Sequence, residues 1–157
     1  MIWENFKNDT LFDISSDHPV TYYEDMQRSI FCLCPLGWAP WSPRIVESVT
    51  FGCIPVIIAD NIVLPFKDVI PWADIAVFVA EKDVTMIGNI LKDIPMEEVT
   101  KKQRLLQDST IKEALLFPRL SRGVGDAFHQ VMDALARKLP HDPSTLYIQV
   151  GPSNDLL

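Results

Sequence analysis

The 157-residue chain has no long hydrophobic run. Its apolar segments, of which Ile54–Ala59 is an example, have the length of a strand and fall far short of the roughly 20 residues that span a bilayer. The first five residues lack the basic and apolar regions of a signal peptide. Taken literally, these absences predict a soluble, cytosolic chain.

Positive charge is also scarce, with 14 Lys and Arg against 21 Asp and Glu and a net charge of −7. Proteins that bind phosphate backbones need clustered Lys and Arg, so we expect no nucleic-acid partner. The same balance argues against docking on an anionic membrane. A composition of 48% hydrophobic and 22% charged residues excludes a disordered chain and predicts one folded domain.

Cysteine is limited to Cys32, Cys34 and Cys53, which cannot all pair within one chain. The C-x-C spacing of the first two has no second cysteine pair or histidine pair nearby, so a structural zinc site is not predicted. We interpret the three cysteines as small buried hydrophobic residues.

Three apolar, β-prone segments predict strands at Ile30–Cys34, Ile54–Ala59 and Ile75–Val79. A helix between the first two is indicated by Ser42-Pro43 at its start and Gly52 at its end. Strand, helix and strand in this order predict a parallel sheet with right-handed crossovers. Three strands are fewer than a complete doubly wound domain contains, so the pattern predicts part of an α/β domain.

The remaining pattern is mostly helical. Thr21 and Glu24 form a potential capping box for a short helix that ends near Ser29. Four further helices are predicted at Asp83–Leu91, Pro95–Leu106, Ser109–Leu115 and Gly125–Leu139. In the last one, apolar residues at helical spacing form one stripe, made of Phe128, Val131, Met132, Leu135 and Leu139.

Ligands of open parallel sheets bind beyond the carboxyl ends of the strands, here at the loops Pro35–Trp41 and Asp60–Phe66. The first loop leads into a helix N-terminus, which favours an anion. Arg44 in that first turn suits forked recognition of phosphate, and Glu47 one turn later can accept hydrogen bonds from vicinal hydroxyls. The pattern predicts a nucleotide diphosphate site. The alternative is a surface ion pair between these two residues, worth a few tenths of a kcal/mol.

Other familiar sites are not supported. Gly37 alone is weak evidence for a phosphate loop, and the chain has neither G-x-G-x-x-G nor a P-loop motif, which argues against a dinucleotide-dependent dehydrogenase or a P-loop NTPase. We interpret the histidines as structural or solvent-facing: His18, His129 and His141. Tryptophans near the loops can stack on a sugar or base, or serve as core residues: Trp38, Trp41 and Trp72.

One long segment of unusual composition covers residues 31–60, FCLCPLGWAPWSPRIVESVTFGCIPVIIAD. This segment resembles the exostosin family of inverting glycosyltransferases. Within that family it is most similar to the plant β-1,4-xylosyltransferases that build xylan. Supporting stretches extend the resemblance over residues 2–142, and they are Trp3–Lys7, Leu11–Ile14, Tyr22–Arg28, Ile62–Phe66, Lys102–Leu106, Gly125–Val131 and Ala136–Asp142.

The resemblance implies a GT-B fold, of which this chain is the C-terminal donor half. It predicts a partial Rossmann-like parallel sheet with flanking helices in residues 1–142 and a loose tail in residues 143–157. The implied reaction transfers a sugar, xylose, from a UDP-sugar to a cell-wall polysaccharide such as glucuronoxylan. The implied binding residues are Arg44 for the diphosphate, Glu47 for the ribose, and Ser42, Gly37, Asp60 and Asn61 with Leu64 around them.

No metal or other cofactor is expected, since no Asp-x-Asp pair is present to hold a divalent ion. The implied partners are the UDP-sugar, a polysaccharide acceptor held by an N-terminal domain outside this chain, and other glycosyltransferases in a complex at the Golgi membrane. Because the catalytic base usually lies in that other domain, the chain alone is expected to be inactive, and no residue is assigned to catalysis. The alternatives are a truncated, non-catalytic module that binds a UDP-sugar or a partner, and a remnant without function.

Overall fold

A computed structural model describes residues 2–14, 19–36, 42–117 and 125–139. The elements of these ranges, in chain order, are α1 (Ile2–Phe6), α2 (Tyr22–Arg28), β1 (Phe31–Pro35), α3 (Pro43–Phe51), β2 (Ile54–Ile58), α4 (Trp72–Ile75), β3 (Val77–Val79), a 3₁₀ helix (Glu81–Met86), α5 (Ile87–Lys92), α6 (Met96–Leu106), α7 (Ser109–Leu115) and α8 (Ala127–Lys138).

The three strands form a parallel sheet in the order β1-β2-β3. Pro35 pairs with Ile58, and Ile58 pairs with Val79, so the strands end in register at one edge. The prediction of a parallel sheet with flanking helices is confirmed. The loops that follow β1 and β2 therefore leave the sheet from neighbouring points.

Strand β2 lies at the centre of the sheet, and all five of its residues are buried. Its Ile57 belongs to the larger core cluster, which includes residues of α3, α6 and α7. Val56 and Ile58 belong to a second cluster, which includes Phe6 of α1 and Ile87 of α5. Because β2 contributes side chains to both clusters, both of its faces must be apolar, which explains its continuous apolar sequence.

The third strand and the segment before it differ from the prediction. β3 contains only Val77–Val79, because Ile75 belongs to the one-turn helix α4. Trp72 and Ile75 stand three residues apart on α4 and are both buried. Lys102 of α6 donates hydrogen bonds from its ammonium group to the carbonyls of Ala73 and Ala76, at 3.1 and 3.0 Å. Packing and this distant cation stabilise the turn.

Helices elsewhere follow the predicted positions with two corrections. The single helix predicted at Asp83–Leu91 is a 3₁₀ helix, Glu81–Met86, followed directly by α5. The capping box predicted before α2 is not formed, since Thr21 has φ −85° and ψ 2° and its side chain makes no capping hydrogen bond. The preferred N-cap backbone is extended, and Thr21 does not adopt it.

The predicted apolar stripe of α8 is present, but in the structure it is exposed. Phe128, Val131, Met132, Leu135 and Leu139 all lie on the accessible side. The buried residues of α8 are Ala127 and Gln130. The helix and its stripe are therefore as predicted, and the side of α8 that contacts the described core carries Ala127 and Gln130.

The prediction that the three cysteines are buried is confirmed, and two of them are in addition bonded to each other. Cys32 of β1 and Cys53 before β2 form a disulfide across a Cα–Cα distance of 5.8 Å. Cys34 is a free, buried thiol. Cys32 and Cys53 are 21 residues apart in sequence, so the bond depends on the parallel pairing of β1 with β2, which spacing alone did not reveal.

Several predictions fall outside the described residues, namely those for Gly37, Trp38, Trp41, His18, His141 and the tail 143–157. The domain boundary at residue 142 also stays a prediction. None of the helices in the described ranges has both the length and the apolar character needed to cross a membrane.

Candidate functional site

The candidate site lies where α2 and α3 meet near the carboxyl edge of the sheet. The amide of Leu36, just after β1, donates to the carbonyl of Ile58 at 3.2 Å, so the exits of β1 and β2 are joined. α3 begins at Pro43, after the loop that leaves β1. α2 ends two residues before β1 begins, and Tyr22 at its start contacts the first turns of α3.

Tyr22 links the two predicted nucleotide-binding residues. Its hydroxyl donates a hydrogen bond to Oε2 of Glu47 at 2.9 Å and accepts one from Nε of Arg44 at 3.2 Å. The guanidinium carbon of Arg44 lies 5.6 Å from the centroid of the Tyr22 ring. We refer to Tyr22, Arg44 and Glu47 as the tyrosine-bridged cluster.

The bridge replaces the surface ion pair that was the alternative interpretation of Arg44 and Glu47. The ion pairs among the described residues involve other side chains, and neither of these two takes part in them. The structure therefore brings Arg44 and Glu47 together, as predicted, through a third residue.

The environment of Tyr22 keeps its hydroxyl protonated. Burial raises the pKa of Tyr22, the hydrogen bond to the Glu47 carboxylate raises it further, and Arg44 opposes both effects. A phenol with a pKa above its ordinary value of about 10 stays neutral at physiological pH. It can then donate to Glu47 and accept from Arg44 at the same time.

The cluster leaves hydrogen-bonding capacity unused. Towards the described residues, Arg44 uses only Nε and Glu47 uses only Oε2 in hydrogen bonds. The terminal nitrogens of Arg44 can donate to two oxygens of a phosphate group, while Oε1 of Glu47 can accept from a hydroxyl. Arg44 is exposed and Glu47 is half-buried, so a ligand can reach both.

A buried layer between α3 and β1 supports the cluster. The hydroxyl of Ser48 donates to the carbonyl of Arg44 at 2.6 Å, and Sγ of Cys34 lies 3.5 Å from that hydroxyl oxygen. Burial raises the pKa of the Cys34 thiol to about 11, so the group is inert near neutrality. The layer is structural, and it fixes the part of α3 that carries Arg44 and Glu47.

Ser42 occupies the N-cap position of α3 with extended backbone, φ −134° and ψ 125°. Its side chain makes no capping hydrogen bond, contrary to the expectation for serine at this position. Pro43, the next residue, has no N–H group. The remaining amides of the first turn are therefore not capped by the Ser42 hydroxyl.

The second predicted loop is held by a different set of contacts. Oδ1 of Asp60 accepts from the Glu81 amide at 3.4 Å, and Oε1 of Glu81 accepts from the Asp60 amide at 3.2 Å. Asn61 has a φ of 59°, and Leu64 is buried. Asp60 thus joins the end of β2 to the segment after β3. No hydrogen bond or ion pair among the described residues connects it or Asn61 to the tyrosine-bridged cluster.

The described tryptophan and histidine candidates have structural roles. Trp72 is buried, and its indole Nε1 donates to the Pro65 carbonyl at 2.8 Å. Nδ1 of His129 lies 2.7 Å from Oδ1 of Asp126, the residue that caps α8. Trp72 also lines a shallow, largely apolar cavity of about 380 Å³ with Ile62, Leu64 and Phe78. These contacts agree with the structural interpretations of both residues.

No group of three or more histidine, cysteine, aspartate or glutamate residues within the described ranges is placed to hold a metal ion. That UDP binds without a metal ion stays a prediction, because only a binding measurement tests it.

Tyr22 is the one residue of the cluster that the sequence did not indicate. It lies 22 and 25 residues before Arg44 and Glu47, and no short motif joins positions so far apart. The nearest signal was the placement of Tyr22 at the start of a short helix before the first strand, which does not specify the neighbour of that helix.

Curated relatives match almost the whole chain. The "Probable beta-1,4-xylosyltransferase IRX10" of Arabidopsis thaliana is 67% identical over 96% of this chain and 36% of its own length. The "Probable glucuronosyltransferase 47 A" of Physcomitrium patens is 68% identical over 97% of this chain and 33% of its own length. The chain thus spans about a third of the length of these relatives.

A model of a protein family also matches this chain. The model for the exostosin GT47 domain matches residues 1–94, which include α2, β1, α3 and β2 and therefore the whole tyrosine-bridged cluster. The match covers more than half of the chain. This chain belongs to the exostosin GT47 family of glycosyltransferases.

Proposed function

We propose that this chain binds the donor nucleotide of a glycosyltransferase that moves xylose from a UDP-sugar onto a cell-wall polysaccharide such as glucuronoxylan. The chain supplies the donor side, as the C-terminal half of a GT-B fold. The acceptor and the catalytic base belong to the larger part of the protein that the relatives contain. Two relatives from Arabidopsis named as xylosyltransferases support xylose as the transferred sugar, whereas relatives from Physcomitrium and rice are named as glucuronosyltransferases.

The observation that carries the proposal is the geometry of the tyrosine-bridged cluster. A single hydroxyl holds a guanidinium and a carboxylate one turn apart on α3, and each keeps a hydrogen-bonding edge that no described residue uses. A nucleoside diphosphate presents anionic oxygens next to vicinal hydroxyls. Arg44 suits the former and Glu47 the latter. Amides at the start of α3 add to the attraction for phosphate.

The same proposal assigns further binding residues around Arg44 and Glu47. Ser42, at the start of α3, is assigned to the phosphate, and so is Gly37, which falls outside the described residues. Asp60, Asn61 and Leu64 lie in the loop after β2, on the side of the donor sugar. The register of Pro35 with Ile58 supports this arrangement, since both loops start from one edge of the sheet.

The Golgi lumen is the proposed compartment, and further glycosyltransferases are the proposed partners there. The disulfide between Cys32 and Cys53 supports this location, because such bonds persist in oxidising compartments and are rare in the cytosol.

Calorimetric titration of the chain with UDP tests the proposal. Arg44→Ala should weaken UDP binding by roughly tenfold to a hundredfold, because hydrogen bonds to charged groups contribute about 1.5–3 kcal/mol. Arg44→Lys should restore only part of the affinity, since a point charge does not replace the planar fork. Glu47→Gln should weaken UDP while leaving free pyrophosphate almost unaffected.

Arg28→Ala is the matched control, because this arginine is exposed on α2 and pairs with Asp25. It should leave UDP affinity unchanged. Normal UDP binding by Arg44→Ala together with a lowered melting temperature would instead assign Arg44 a structural role and contradict the proposal.

A further inference from the structure

We propose that Tyr22 is a positioning residue for the donor nucleotide, one that acts by presenting Arg44 and Glu47 in their binding orientations. The inference rests on the proposed function and adds a residue to that site. It arises from the central place of the Tyr22 hydroxyl between the two side chains.

The hydrogen bonds of Tyr22 use Nε of Arg44 and Oε2 of Glu47, two atoms that the proposed contacts with the ligand do not require. Nε of Arg44 points to the hydroxyl, which leaves the two terminal nitrogens of the guanidinium for phosphate oxygens. Oε2 of Glu47 accepts the hydroxyl proton, which leaves Oε1 for a ribose hydroxyl. Arg and Glu side chains otherwise lose substantial rotamer freedom when they bind a ligand. Prior ordering by Tyr22 reduces that loss on binding.

The ring of Tyr22 restrains Arg44 as well. The guanidinium carbon lies 5.6 Å from the ring centroid, within the range of a cation–π contact. The hydroxyl and the ring of Tyr22 therefore both contact the side chain of Arg44. Replacing Tyr22 by Phe removes the hydroxyl and keeps the ring, which separates the two effects.

Tyr22 is itself anchored to the sheet. It packs against a buried cluster of Met26, Cys32 and Cys53, in which the two cysteines form the disulfide between β1 and the segment before β2. Tyr23 forms edge-to-face contact with Tyr22 at 5.2 Å and packs on Phe51 at the end of α3. Because the ring of Tyr22 is held in place, its hydroxyl can orient the side chains of Arg44 and Glu47.

The test is a double-mutant cycle on UDP affinity in the complete chain. Tyr22→Phe should weaken UDP binding by roughly three- to tenfold, the range expected for loss of ordinary hydrogen bonds. The same change made together with Arg44→Ala and Glu47→Ala should have almost no further effect, because the groups that it positions are gone. Tyr23→Phe is the matched control and should leave the affinity unchanged.

The outcomes separate this inference from the proposed function. If UDP binding requires Arg44 and Glu47 but is the same in Tyr22→Phe, the function stands and the positioning role is overturned. An equal loss of affinity in both backgrounds, accompanied by a lower melting temperature, assigns Tyr22 to general stability and also overturns it. If the unmodified chain does not bind UDP, both proposals are overturned.

Discussion

Lys102 is a buried cation whose contacts bridge two helices. Its ammonium group donates to the carbonyls of Ala73, Asp74 and Ala76 at the end of α4, at 3.1, 3.4 and 3.0 Å, and lies 3.5 Å from the Glu98 carboxylate. The carbonyls at a helix C-terminus carry partial negative charge and favour a cation. One long side chain thus satisfies backbone groups that the short α4 leaves without helical partners.

Replacement of Lys102 by Ala should lower the free energy of unfolding by roughly 1–3 kcal/mol, because the buried carbonyl of Ala76 and two part-buried carbonyls lose their donor. Lys101→Ala is the control. That neighbour is 68% exposed and reaches Asp74 only at 3.9 Å, so its loss should cost less than about 0.5 kcal/mol. Urea unfolding of both variants measures the difference, and equal values would contradict the role of Lys102.

The state of the three cysteines can be measured by counting free thiols with a thiol-reactive dye. The native chain should not react at pH 8, since Cys34 is buried and its pKa is raised to about 11. Denaturant without reductant should expose one thiol per chain, and reductant should raise the count to three. Cys34→Ala should react only after reduction. Three thiols in the unreduced, denatured chain would contradict the disulfide.

At the scale of elements, α6 and α8 are both amphipathic by sequence, yet they contribute differently to the described core. α6 buries Val99 and Leu106, whereas α8 buries Ala127 and Gln130 and exposes its larger apolar residues. Helical periodicity identifies a stripe, but it does not say whether a neighbouring element covers that stripe.

Two leucines test this difference with the same substitution. Leu106→Ala should lower the free energy of unfolding by about 2–5 kcal/mol, because this side chain is fully buried and its loss leaves a cavity. Leu135→Ala should change it by less than about 0.5 kcal/mol, since Leu135 is 53% exposed. Thermal and urea unfolding measure both values. A large cost at Leu135 would show that the stripe of α8 is covered.

At the scale of the whole molecule, the net charge of −7 makes anion binding depend on local groups. A long-range field of this sign repels a nucleotide, so affinity must come from short-range contacts such as those of Arg44 and the amides of α3. A divalent cation would be the usual alternative for neutralising a diphosphate.

We therefore expect UDP affinity for the chain to change by less than about twofold between EDTA and added Mn²⁺. Calorimetric titration under both conditions measures this, and the Arg44→Ala variant shows how much of the affinity comes from the guanidinium. Binding that disappears in EDTA and returns with Mn²⁺ would contradict metal-independent recognition of the donor.

Local sequence determined the elements whose signals are contiguous. The apolar runs that became β1 and β2 indicated parallel strands, of which β2 is fully buried while β1 alternates between buried and half-buried residues, and Pro43 and Gly52 marked the ends of α3. Gly52 has a φ of 78°, which glycine adopts without steric cost. Arg44 and Glu47 could be picked out as a candidate pair because their spacing on one helix is itself a local property.

Only the tertiary structure decided the features that depend on distant contacts. Tyr22 joins the site through hydrogen bonds to residues 22 and 25 positions away, Cys32 meets Cys53 across paired strands, and α4 depends on Lys102 of α6. Each case needs two segments to pack before the interaction exists. Hydrophobic periodicity and capping act within a few residues, so local sequence determined most of the elements, whereas packing decided α4 and which side chains the elements bring together.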